Sequence, residues 1–258
     1  MAWPDPSYAE FRWAALANAV IAGVALSVSG VLLQALLRNP LASPFILGVS
    51  SGAGLGVTVA LYLAYATGGS LPYWLGTAGP AIAGAMGALA LVYALSLRRG
   101  WIDPLALILT GVIVSAICSA GMMFFQHLVP TGLRGEFTAW LMGHIPETAT
   151  VGVLLPTGLL TAAGLLVAVA MGRTLDAVTL SEDEARSVGV AVGPTRLVLF
   201  LVAGVLAAVA VVVVGPIGFV GLIAPHMARL VLGARHSLVV IGAAMWGVVV
   251  LVGADVIR

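Results

Sequence analysis

Eight apolar stretches, each long enough or nearly so to cross the roughly 30 Å of a bilayer's hydrocarbon, decide what this chain can fold into. They lie at about Ala14–Leu37, Phe45–Ala66, Gly76–Leu97, Pro104–Leu128, Val151–Met171, Leu197–Val214, Ile217–Leu232 and Leu238–Ile257. Hydrocarbon offers no water to backbone N–H and C=O groups, so only helices and closed barrels cross it. The runs are long and lack strand alternation, which excludes a barrel. The expected fold is all-α, a polytopic membrane bundle of about eight spanning helices forming one transmembrane domain over residues 1–258. Composition agrees: 8% of the residues are charged, where soluble domains carry about 25%.

The seventh stretch is short, and Gly215-Pro216 ahead of it predicts a tight hairpin. Phe137–Ile145 is too short to cross and is expected to lie in an interface. All eleven basic residues are arginine and the net charge is +1, so no nucleic-acid footprint exists. The single Cys118 falls mid-helix and excludes an intrachain disulfide or a cysteine-held metal. Met1–Pro6 has no basic region, and no cleaved leader is expected.

Arginine placement orients the bundle. Arg38, Arg98, Arg99, Arg173, Arg186, Arg196, Arg229 and Arg235 fall on one side, and Arg12, Arg134 and Arg258 on the other. By the positive-inside rule the first group is cytoplasmic. Gly172–Arg196 is then inside, Ser70–Pro72 and Thr131–Arg134 are outside, and the N-terminus faces outward.

Three segments carry more than hydropathy. From Gly30 the chain reads GVLLQALLRNPLASPFILGVSSGAGLG. One helix stops at Arg38-Asn39-Pro40, and a second is expected from Pro44, since proline suits a first turn. Gly48, Gly52 and Gly56 then recur every fourth residue, a face that lets another helix approach to near backbone contact. The second segment, GRTLDAVTLSEDEARSVGVAVGPTR from Gly172, gathers Asp176, Glu182, Asp183 and Glu184. Ser181 and Glu184 form a capping box, so a short helix is expected from Ser181, ended by Gly189 and Gly193-Pro194. The third, Val214–Arg229, spaces Gly215, Gly218 and Gly221 for helix packing and carries Pro225-His226. No second histidine or carboxylate lies within a turn of His226, which favours a structural role, bonding backbone carbonyls, over metal ligation.

The wording Q-x3-RNPLA-x-P-x2-LGVSSGAG, the core Glu184-Ala185-Arg186 with Gly189, and the run GPIGFVGLIAPH through Arg229 together resemble the FecCD/cobalamin-permease family. These are the permease subunits of ABC importers for iron–siderophore, haem and cobalamin. The resemblance runs from about Arg12 to Arg258. It implies a subunit with no catalysis of its own and no cofactor or metal, in the inner (plasma) membrane among lipid. Its implied partners are two copies of an ABC ATPase, a second permease copy forming a homodimer, and a periplasmic binding protein. Glu184, Ala185, Arg186 and Gly189 would couple to the ATPase, within the loop 172–196. Arg12 and Arg134 would dock the binding protein. Thr110, Ser115, Met122, Met123 and Phe125 would line the pathway, although Thr110 and Ser115 can equally bond back to their own helix. Arg38, Asn39, Pro40, Pro225 and His226 match the family's structural motifs. The family fold has ten spanning helices, and its first and last have no counterpart here. The usual R-L-P-R reads Arg12-Trp13-Ala14-Ala15, with one arginine missing.

Two other function classes fit less well. An intramembrane enzyme needs paired carboxylates, and neighbouring Glu182-Asp183-Glu184 do not share a helix face. An ion-coupled carrier should hold an acid inside a span, and Asp255 lies at a span end.

Overall fold

The computed structural model describes residues 6–68, 76–98, 100–148 and 150–257. Arg99, Arg258 and Ser70–Pro72, used above for orientation, lie outside the described residues. Eleven α-helices occur among them: α1 (Pro6–Leu37), α2 (Val49–Ala66), α3 (Ala78–Ser96), α4 (Pro104–Leu128), α5 (Thr131–Met142), α6 (Val151–Ala170), α7 (Gly172–Val178), α8 (Glu182–Ser187), α9 (Val192–Val214), α10 (Val220–Leu232) and α11 (His236–Ile257). A 3₁₀ turn, Pro44–Leu47, precedes α2, and the two-residue strands β1 (Leu97–Arg98) and β2 (Trp101–Ile102) form a hairpin before α4. Seven helices, α1, α2, α3, α4, α6, α9 and α11, are long and apolar enough to cross a membrane. The eighth expected span is α10, at 13 residues about 20 Å long, and so does not cross by itself.

α1 is the hub. It packs against α6, α9, α10 and α11, while α2, α3 and α4 form a second group joined to the first through α9. The seams are made by glycines. Gly23 of α1 lies against Gly247 of α11, and Gly30 against Gly221 of α10. On α2, Gly52 and Gly56 lie against Gly84 and Pro80 of α3, as their spacing predicts. At each of these positions a β-carbon would strike the backbone opposite. Apolar burial gains little between helices already surrounded by lipid, so such close approach and interhelical hydrogen bonds carry the association. Ser29 supplies one, donating to the Ala203 carbonyl of α9 at 2.7 Å.

Several boundaries differ from expectation. α1 begins at Pro6 rather than Ala14, and α9 at Val192 rather than Leu197. Gly193-Pro194 therefore opens α9 instead of ending the helix before it. Gly48 is not part of a helical stripe: its φ of 73° places it in the left-handed region, where it closes the 3₁₀ turn and starts α2. That conformation is open to glycine because it has no β-carbon. Gly218 precedes α10 and has open space where a β-carbon would sit, so it packs no helix within the chain. Gly221 does, against Leu26 and Pro44.

Candidate functional site

The spans alternate so that the ends of α1, α3, α6 and α10 meet the starts of α2, α4, α9 and α11 at one end of the bundle. Here the sequence turns polar, and most of the side-chain hydrogen bonds that join distant segments are made here. α7 and α8 stand at the centre of this end. The capping box forms as its residues require: the Glu184 N–H donates to Ser181 Oγ at 3.3 Å, and the Ser181 N–H donates to Glu184 Oε2 at 2.9 Å. The Ser181 hydroxyl donates to the same carboxylate at 2.7 Å. These bonds, with a smaller contribution from the charge of Arg38, hold the Glu184 carboxyl below the usual glutamate range. Gly189, with φ 86°, ends the helix. Glu184, Arg186 and Gly189 are exposed, whereas Ala185 is fully buried and seats α8 on the bundle.

Each element of this unit is tethered to a different span. Glu182 bridges two arginines, Arg186 at 2.6 Å on its own helix and Arg196 at 3.3 Å at the start of α9. Arg196 is buried and also donates to the Ile102 carbonyl of β2 at 3.4 Å. Trp101 lies where a side chain on Gly193 would have to sit, which pins the hairpin on α9. Asp176 of α7 accepts both the backbone N–H of His236, at 2.9 Å, and pairs with its Nδ1 at 2.7 Å, so it caps the first turn of α11. Arg38 donates through Nε to the Val178 carbonyl at the end of α7, at 2.9 Å. A further link runs inside: Arg229 Nη1 of α10 donates to Gln34 Oε1 of α1 at 2.6 Å. Sequence reasoning placed Glu184, Arg186, Arg38, Asp176, Arg196 and Arg229 at this end but missed the links that join Arg196 to Glu182, Arg229 to Gln34 and Asp176 to His236. These partners lie 14 to 195 residues apart, and no local spacing signals them.

The two motif segments have clear local reasons. Asn39 Oδ1 accepts the Leu41 N–H at 3.0 Å, turning the chain after Arg38, and exposed Pro40 sits within that turn. Pro225 lies buried inside α10 and cannot donate to the Gly221 carbonyl four residues back. That freed carbonyl is the one Gly30 packs against. His226 departs from expectation. It is exposed and makes no hydrogen bond among the described residues, since its side chain points off the outer side of α10.

The pathway candidates divide. Met123 is 70% exposed. Thr110 bonds back to the Ala106 carbonyl at 2.7 Å. Ser115 faces Gly48, Met122 fills the space above Gly54, and the Phe125 ring lies tilted against Tyr62 of α2, centroids 5.4 Å apart. Four of the five therefore pack toward the 3₁₀ turn, α2 or their own helix. At the far end Arg12 is exposed. Arg134 is folded back, its Nε and Nη2 donating to the Val129 and His127 carbonyls at the end of α4, at 2.7 and 2.9 Å. Among the described residues no three of His, Cys, Asp and Glu come together as a metal would require.

Comparison with known proteins places this architecture. A model of the FecCD transport family matches residues 5–258. The hemin transport system permease protein HmuU of Yersinia pestis is 35% identical over 92% of this chain and 70% of its own length. The iron(3+)-hydroxamate import system permease protein FhuB of Salmonella typhimurium is 36% identical over 95% of the chain, which spans 35% of FhuB. The cobalamin import system permease protein BtuC of Halobacterium salinarum is 36% identical, and the chain spans 62% of it. A solved ABC transporter described as of metal-chelate type, in an inward-facing conformation, superposes with a TM-score of 0.84 at 32% identity. That match covers 95% of this chain and 77% of the other.

Proposed function

Because the chain belongs to the FecCD transport family, we propose that it is the transmembrane permease subunit of an ATP-driven importer that carries a metal chelate across the inner membrane. It is a multi-pass membrane transport component and not an enzyme. The cargo class follows the relatives, whose names specify hemin, iron(3+)-hydroxamate and cobalamin. On this reading a periplasmic binding protein delivers the chelate, a second copy of the chain completes the pathway, and two ATPase subunits drive it. The observation that carries the reading is the α7–α8 unit: α8, a capped, charged short helix presenting Glu184 and Arg186 to solvent, is tied to α9 through Glu182, and α7, packed against it, is tied to α11 through Asp176. A partner that pushes on α8 pushes on those spans. Eight arginines against three put this end in the cytoplasm.

Within this reading the finer roles follow exposure. Glu184, Arg186 and Gly189 offer contacts to the ATPase, and Ala185 anchors them. Met123 is the pathway residue open to a passing cargo, and Thr110, Ser115, Met122 and Phe125 shape the wall behind it. Among the described residues Arg12 and the Nη1 of Arg134 have no partner, and these would meet a binding protein's carboxylates. The test is charge reversal with a capping control. Glu184→Arg should abolish ATPase pull-down or uncouple hydrolysis from uptake, while Ser181→Ala, which removes only the hydroxyl cap, should leave most of both. Parental transport and pull-down in Glu184→Arg would refute the assignment of α8.

A further inference from the structure

At the same end of the bundle lies a cavity of about 400 Å³ between the end of α1, α7, the end of α10 and the start of α11. Its lining includes Arg38, Arg229, His236, Asn39, Thr179 and Asp176. Its charge is unbalanced. Arg38 uses only Nε, on a neutral carbonyl, and Arg229 uses only Nη1, on a neutral amide. Among the described residues no carboxylate comes within 4 Å of either guanidinium. Asp176, the one acid in the lining, is engaged by His236. Glu184 feels the charge of Arg38 but commits an oxygen to Ser181. Arg235 is exposed nearby and is not part of the lining.

Arg38 has a φ of 49° because it ends α1: the Asn39 N–H donates to the Gln34 carbonyl at 3.1 Å and the Arg38 N–H to the Ala35 carbonyl at 3.3 Å, a helix cap that turns the chain at the edge of the cavity. Two guanidiniums with unengaged N–H groups, lining one space and, among the described residues, neither within 4 Å of a carboxylate, match the geometry of a phosphate group. The cavity sits where the apolar spans end. Exposed apolar residues continue from both of its helical walls: Leu230, Val231 and Leu232 after Arg229, and Leu238 and Ile241 after His236. Acyl chains require such a surface, and a soluble anion does not.

We propose that this cavity binds the phosphate of an anionic phospholipid headgroup, with Arg38 and Arg229 as its clamp and Asn39 and Thr179 as neutral hydrogen-bonding neighbours. The site stands apart from the docking role of α8 and holds whether or not an ATPase binds there. The full chain, purified in detergent, is incubated with phosphatidylglycerol or phosphatidylcholine, and retained lipid is counted by native mass spectrometry. Phosphatidylglycerol should be retained in preference. Arg38→Gln with Arg229→Gln should lower its apparent affinity about tenfold, the order expected from losing charge-assisted bonds. Arg235→Gln, which removes an equal charge outside the cavity, should change it less than twofold. Should the double variant fail to fold, Thr179→Asp places a repelling charge at the exposed edge of the cavity without touching the Gln34–Arg229 bond, and should lower retention likewise. A second arm adds millimolar inorganic phosphate. Displacement of the lipid, with equal protection of the parent by phosphate alone, would assign the site to a free phosphate and overturn the lipid source. Equal retention in parent, double variant and Thr179→Asp would overturn the site.

Discussion

α1 and α4 match in mean hydropathy, yet 83% of the apolar stretch of α1 is buried inside the bundle against 22% of that of α4. What separates them is size and polarity. α1 presents Ala15, Ala19, Ala22, Gly23, Ala25, Ser29 and Gly30 to its neighbours, and its buried polar groups are all used. Asn18 donates to the Pro146 carbonyl, Ser29 to Ala203, and Gln34 accepts from Arg229. α4 turns Leu105, Leu109, Val112, Ile113, Ile117 and Phe124 outward. In a solvent as oily as the core, hydropathy does not sort inside from outside; close approach at small residues and paired polar groups do, and on α1 the fully buried Leu26, Leu32, Leu33 and Leu36 fill the space between those contacts.

The sharpest way to break this comparison is to give α1 a side chain of α4's kind. Gly30→Leu drives a side chain into the backbone of Gly221 and should cost about 3 kcal/mol or more. Loss of the monodisperse peak in detergent size-exclusion is expected. Ile113→Ala on the outward face of α4 should stay within about 0.5 kcal/mol of the parent. Equal behaviour of the two would mean that α1 is not the hub. A smaller effect should follow Gln34→Ala, which leaves the half-buried Arg229 guanidinium without its acceptor and should cost about 2 kcal/mol. Thermal unfolding in detergent measures it, and an unchanged midpoint would show that this link between α1 and α10 contributes nothing.

The smallest effect belongs to α8, which lies outside both helices. The Glu184 carboxyl is held below its ordinary value of 4.5 by the Ser181 bonds. Its contribution to the helix is therefore complete above that value and is lost as pH falls through the lowered one. Amide exchange over Glu182–Ser187, compared with Glu184→Gln at each pH, should show a protection difference at pH 6 that vanishes in strong acid. A difference that survives acidification would exclude the carboxylate as its source.

Much of this was legible in the chain because its signals are local. Seven spans, the short α10 behind Gly215-Pro216, and the Ser181 cap all rest on residues within a turn or two of one another. Gly48 misled for a physical reason: glycine serves close packing and left-handed turns equally, and a four-residue period does not say which. His226 misled because a polar residue in an apolar run suggests a partner, whereas one at the outer side of a short helix needs none. The Gln34–Arg229 and Asp176–His236 links were invisible because their spacing exists only after the bundle has closed. The centrality of α1 was hidden because its hydropathy does not stand out, α9 exceeding it and α6 and α11 matching it, although its run of alanine, serine and glycine carried the hint.

Gly30, Gly221 and Pro44 meet at one level of the bundle, and this has a mechanical consequence. α10 begins there behind Phe219, at φ 66°, and α2 begins nearby behind Gly48. Both starts are breaks that have already satisfied themselves: Val220 N–H bonds to the Gly218 carbonyl, Leu222 N–H to Phe219, and Gly48 N–H to Phe45. A continuous helix bends only by stretching or breaking its ladder, whereas a chain jointed at these two points can flex without losing a bond. The chain is thus jointed at this level at the starts of α2 and α10, while α1, which packs on α10 and on the 3₁₀ turn, passes through it as one continuous helix.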